Sequence, residues 1–82
     1  MALFVPPVAL ARKLGQDSLR LDAPDVGSLL QEVRKRVGEN DWPAGLHATV
    51  LVNGVAIGRL QGMATPLGPE DQVWLALPAG GG

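Results

Sequence analysis

Cysteine is absent from this chain of 82 residues and histidine occurs once. Without cysteine there is no disulfide, no thiolate metal site and no cysteine nucleophile. A domain this small without covalent staples fits a reducing compartment. A single histidine, His47, leaves no second imidazole for a histidine metal cluster and points to a plain strand position. No Ser–His–Asp spacing is present, and Glu70-Asp71, the adjacent carboxylate pair, lies in a turn-rich stretch where Asp is favoured for backbone reasons. No metal site is expected. Long apolar runs are also missing: the longest, residues 5–11, is far too short to cross a bilayer. No basic region precedes it, so a secretion signal is not expected. Charge of one sign is missing too. The net charge is -1, and no run of like charge exceeds Arg34-Lys35-Arg36. That pattern argues against a nucleic-acid partner. The expectation is a soluble, cytoplasmic protein with neither membrane nor nucleic acid among its partners.

What is present is enough for one small core. Hydrophobic residues make up 46% and charged residues 18%, the balance of a folded globule. The length suits one domain. At this size folding buries only about 60–65% of the unfolded surface, so most apolar side chains must share one core. Eleven glycines and seven prolines predict many turns.

Residues 2–5 (ALFV) read as a strand. Pro6-Pro7 removes two backbone donors and ends it or holds it at an edge. Residues 8–14 (VALARKL) fit a strand or a helical turn equally. Residues 18–22 alternate polar and apolar, as a half-buried strand does. Together they read as an opening hairpin with a long loop. Residues 25–38 form the clearest element: Val26, Leu29, Leu30, Val33 and Val37 make one helical stripe. Asp25 suits the N-cap, Gly38 the C-terminal cap, and the basic triplet the negative end of the helix dipole. Glu32 and Arg36 have i, i+4 spacing for an ion pair. A loop over 40–45 follows, with Trp42-Pro43 in it. Then come a strand over 46–52, the turn Asn53-Gly54 and a short return at 55–57. Residues 59–65 read as irregular and 66–71 as turn-rich. Residues 73–77 form a last strand with Val73, Leu75 and Leu77 on one face. The order predicts an α+β fold: a β-grasp, or ubiquitin-like, mixed sheet of four to five strands with one main helix across one face. Its first and last strands lie parallel at the centre. The domain is read as residues 1–77, with 78–82 a flexible glycine-rich tail.

Asn53-Gly54 after Val52, Thr65-Pro66-Leu67, Glu70-Asp71-Gln72-Val73 and Pro78-Ala79-Gly80-Gly81-Gly82 follow one another through the C-terminal half. In that order and spacing they resemble the MoaD/ThiS family of sulfur carriers. Asp25-Val26-Gly27-Ser28-Leu29-Leu30 is similar to the family's helix start, with Asp for Thr. Glu70 stands where the family usually has Gly, and Gly80 where it has a small Ala or Ser.

The resemblance implies a protein co-substrate, not an enzyme in its own right, although such a chain can be the small subunit of a complex such as molybdopterin synthase. An adenylating enzyme uses ATP to activate the Gly82 carboxylate. A sulfur donor converts it to a thiocarboxylate, and a partner enzyme accepts the sulfur. No cofactor is bound by the carrier itself. A terminal diglycine has a physical use in this scheme. Gly81 and Gly82 carry no side chain to block a narrow channel. Residues 78–82 reach about 17 Å when extended. Pro78 stiffens the exit, and Ala79 and Gly80 complete the segment that a partner would grip. Molybdopterin synthesis is the favoured destination, because the first loop and the stretch after the helix are longer than a minimal thiamine-type carrier needs. Thiamine, cysteine and tRNA thiolation remain open. Two other classes compete: a modifier joined through Gly82 to lysines, and a β-grasp interaction module that never conjugates. Trp74 alternates against Val73 and Leu75, so it points away from the helix-covered face. It is either partly buried against loop residues such as Trp42 or an exposed anchor for a partner.

Overall fold

The structure, a computed structural model, describes residues 1–38 and 49–76. The expected loop over 40–45, Trp42, His47, the first residues of the strand at 46–52, Leu77 and the tail 78–82 lie outside the described residues.

Strand β1 (Ala2–Val5) is followed by helix α1 (Val8–Leu14), strand β2 (Leu19–Leu21) and the long helix α2 (Val26–Val37). Then come β3 (Thr49–Val52), β4 (Val55–Ala56), two 3-10 turns (Ile57–Arg59 and Gly62–Ala64) and β5 (Gln72–Ala76). The strands form one sheet in the order β2-β1-β5-β3-β4. β1 and β5 run parallel, Phe4 opposite Val73, and every other pairing is antiparallel. This is the expected β-grasp.

Period-two alternation explains which way each strand faces. Ala2, Phe4, Leu19, Leu21, Val50, Val52, Val73 and Leu75 are all buried and point to one side of the sheet. On α2, Val26, Leu29, Leu30 and Val33 close over them, and Val37 packs at the edge of the same cluster. Phe4, Val26, Leu29, Val33 and Val73 form its fully buried centre. The stripe read from the sequence is the stripe that packs.

Three local details differ from the expectation or sharpen it. Residues 8–14 resolve as a helix, so the first connection is β1-α1-β2 and not a bare hairpin loop. Pro7, in extended backbone, stands at its N-cap, where a missing N–H costs nothing. Leu10 enters the core, and Gly15, at φ 73, ends the helix with its amide on the Ala11 carbonyl. The short return strand ends at Ala56 and Ile57 opens the first 3-10 turn, while the stretch expected to be irregular, 59–65, holds the second. Glu32 pairs with Lys35 at 3.6 Å, not with Arg36, because the i, i+3 rotamer reaches it. That pair is exposed and adds little.

Truncating Leu29 removes a side chain with no solvent exposure from the helix–sheet interface. Leu29→Ala should lower unfolding free energy by about 2–5 kcal/mol. Urea denaturation should show a lower midpoint at an unchanged slope.

Candidate functional site: the open sheet face at the end of β5

Among the described residues, helices cover one side of the sheet and leave the other open. Register places an apolar row across that open side. Val5 of β1 opposes Trp74 of β5, Trp74 opposes Leu51 of β3, and Leu51 opposes Ala56 of β4. Val5, Leu51 and Ala56 are half-buried, whereas Trp74 is 45% exposed. Its indole N–H donates a long 3.4 Å hydrogen bond to Gln72 Oε1, two residues back along the strand. That bond ties the indole to Gln72 on the same face. Thr49 and Ala76 oppose each other beyond this row, both exposed. Between the two readings of Trp74, the described residues favour the exposed one. Trp42 lies outside them.

The motifs quoted from the sequence hold this face in place. Asn53 (φ 52) and Gly54 (φ 86) both have positive φ, which gives the tight turn between β3 and β4. Asn53 also reaches across to the start of β5. Its Nδ2 donates to Asp71 Oδ1 at 3.0 Å, its Oδ1 accepts from the Gln72 amide at 3.0 Å, and its own amide donates to the Gln72 carbonyl at 2.9 Å. Asp71 Oδ2 accepts from the Gly68 amide at 2.7 Å, and the Asp71 carbonyl accepts from the Leu3 amide at 3.0 Å. The Asn-Gly and Glu-Asp turns thus form one latch that sets the entry of β5 between β1 and β3.

A second latch fixes the helix to the same region. Asp25 Oδ1 accepts from the Ser28 amide at 2.8 Å, as an N-cap does. The Val26 amide donates to the Thr65 carbonyl, and the Leu67 amide to the Pro24 carbonyl. Thr65, buried, accepts from the Gln61 amide through Oγ1 and donates to the Gly62 carbonyl. Gly27 packs closely here: a Cβ would lie 3.3 Å from the Met63 carbonyl oxygen, which would have to give by a few tenths of an ångström. The Thr-Pro-Leu segment and the helix start therefore meet in space.

The electrostatics of these latches are those of capped carboxylates. The Ser28 amide, then its side chain, holds the Asp25 carboxyl below its ordinary value. The Gly68 amide, then the Asn53 side chain, does the same for Asp71. Both carboxylates are held by backbone amides, and Asp25 also borders an open cleft with Gly27, Gln31, Arg34 and Met63. Among the described residues no three His, Asp or Glu side chains are grouped to hold a metal ion.

Among the expected site residues, Trp74 alone is described. Pro78, Ala79, Gly80, Gly81 and Gly82 lie outside the described residues, and β5 ends at Ala76. The apolar companions Val5, Leu51 and Ala56 were not singled out from the sequence. Alternation marks each as facing away from the core, but only the strand register brings them beside Trp74.

No family model and no curated protein matches the chain. Solved structures do. Small archaeal modifier protein 1 from Methanosarcina acetivorans is 21% identical with a TM-score of 0.77, over 99% of this chain and 95% of that one. A chain of the Amycolatopsis orientalis BexX/CysO complex is 18% identical with a TM-score of 0.81, and each chain is fully covered. Mycobacterium tuberculosis CysO is 15% identical with a TM-score of 0.79, over 96% of this chain and all of that one. This chain has their ubiquitin-like β-grasp fold. The sequence resemblance to the MoaD/ThiS carriers and the structural likeness agree on it. No helix among the described residues is long and apolar enough to cross a membrane.

The Asp71 latch should show in acid. Its folded pKa lies below the ordinary 3.8, so its contribution is complete above that value and is lost as pH falls through the lower, folded one. The group is close to solvent, so the effect is modest and shrinks with salt. Asp71→Asn should lower the thermal midpoint at pH 7 and flatten its decline below about pH 4. Thermal scans across pH 2–7 test this.

Proposed function

We propose that the chain is a sulfur carrier that acts through the carboxylate of Gly82. The observation that supports this reading is the exposed Trp74 on an open apolar face, carried by the strand that leads directly into Pro78-Ala79-Gly80-Gly81-Gly82. A small domain with such a face and a side-chain-free end suits insertion of its terminus into another protein. Similarity to small archaeal modifier protein 1 and to CysO, in one case from a complex with BexX, supports protein partners.

The chemistry belongs to the partners. An oxygen of the Gly82 carboxylate attacks the α-phosphorus of ATP, pyrophosphate leaves, and an acyl-adenylate forms. A sulfide-level donor attacks the carbonyl carbon, the acyl–phosphate bond breaks, AMP leaves, and a thiocarboxylate remains. An acceptor enzyme then removes the sulfur. Trp74 and the apolar row supply docking area, and Gly81 and Gly82 supply access. The chain contributes no general base and holds no cofactor. Cytoplasmic cofactor biosynthesis, with molybdopterin as the favoured product, is the setting this reading suggests.

Intact mass decides between this and conjugation. With ATP, a sulfide donor and an adenylating enzyme from the same genome, the chain should gain the mass of one oxygen replaced by sulfur, and deletion of Gly82 should abolish the gain. Conjugation to lysines without such a gain would favour the modifier class that the archaeal relative's name describes. Trp74→Ala should weaken binding of the adenylating enzyme by about 2 kcal/mol or more, some thirtyfold in Kd, if Trp74 is an anchor. Its fold should persist, as circular dichroism would show.

A further inference from the structure

The open face is nearly free of charge. Among the described residues, Arg20 is the single charged residue in the five strands. It lies on edge strand β2, exposed between buried Leu19 and Leu21, and so faces the same side as Trp74. Register fixes its position. Arg20 opposes Leu3, and Leu3 opposes Gln72, the residue that holds the indole of Trp74. Two strand spacings and two residues along the strand put the Cα atoms of Arg20 and Trp74 about 12 Å apart. Asp22 has the same parity, but it lies beyond Leu21, opposite the start of β1 and away from the end where β5 exits. Among the described residues Arg20 makes neither an ion pair nor a side-chain hydrogen bond.

A guanidinium without a partner among the described residues, at the rim of an apolar patch, has a specific complement. It offers a planar fork that matches a carboxylate. A rim charge changes association rate and partner choice more than it changes affinity. We infer that Arg20 selects the protein that docks over Trp74: that protein places a carboxylate side chain opposite Arg20 while a neighbouring apolar pocket receives the indole. The inference rests on the docking role proposed for this face. The occupant is the adenylating enzyme, and a protein with a basic residue at that place is repelled. A competing account is that Arg20 only guards an edge strand against pairing with another chain.

The test uses the full chain and the enzyme that adenylates it. Arg20→Glu should slow association about tenfold at low salt, with the difference narrowing as salt screens the pair. Arg20→Lys should keep most of the wild-type rate. That variant also places an amine at the site, so carbodiimide treatment of its complex should couple this position to an Asp or Glu of the enzyme. Mass spectrometry of the cross-linked peptide identifies that residue. Lys13 and Lys35, the chain's two native lysines, serve as internal controls. If Trp74→Ala slows association and Arg20→Glu does not, the inference falls while the docking face stands. Self-association of Arg20→Glu or Arg20→Ala with no change in partner binding would instead support the edge-guard account and overturn it. If neither Trp74→Ala nor Arg20→Glu affects association, the docking face itself fails, and the inference with it.

Discussion

The parallel pairing of the first strand with the last organises this molecule. β5 inserts between β1 and β3, and Val73 reaches the fully buried centre beside Phe4. A parallel neighbour cannot be reached by a hairpin, so everything between the two strands must form the crossover. That intervening chain supplies the helix that seals the core and the hairpin that flanks β5 on its other side. The central position of β5 also means that its outward residues sit mid-sheet, with strands on both sides. Trp74 is therefore set in an apolar row and not at a ragged edge.

The latches exist because β5 is short. Five residues in the middle of a sheet must enter at the right register, since a one-residue slip would turn Val73 and Leu75 outward and Trp74 inward. Asn53 and Asp71 remove that freedom. They bind the turn before β5 to the turn after β3 through side-chain and backbone hydrogen bonds together. The Thr65 segment does the same for the helix. Residues that look like a functional signature in sequence are, in space, the reason the exit strand points where it does.

Much of the fold was legible from the residues alone. The α2 stripe, its Asp25 cap and the Asn53-Gly54 turn are local features, decided by spacing and backbone preference within a few residues. Residues 8–14 were not legible, because seven residues with apolar positions at both periods satisfy a strand and a helix alike. The core settled the matter by taking Leu10. The Glu32 pairing was missed for a similar reason: two basic residues lie in reach, and rotamer geometry chose between them.

By itself, the sequence determined the outward orientation of Trp74, the helix and its ends, and the glycine run at 80–82. Each follows from alternation, periodicity or composition, which act along the chain. Tertiary structure alone decided that Val5, Leu51 and Ala56 join Trp74, that Asn53 meets Asp71, and that Arg20 stands at the rim of the same face. Those pairs are all 18 or more residues apart in the chain. Strand register sets such distances, and register is the outcome of the whole core packing at once.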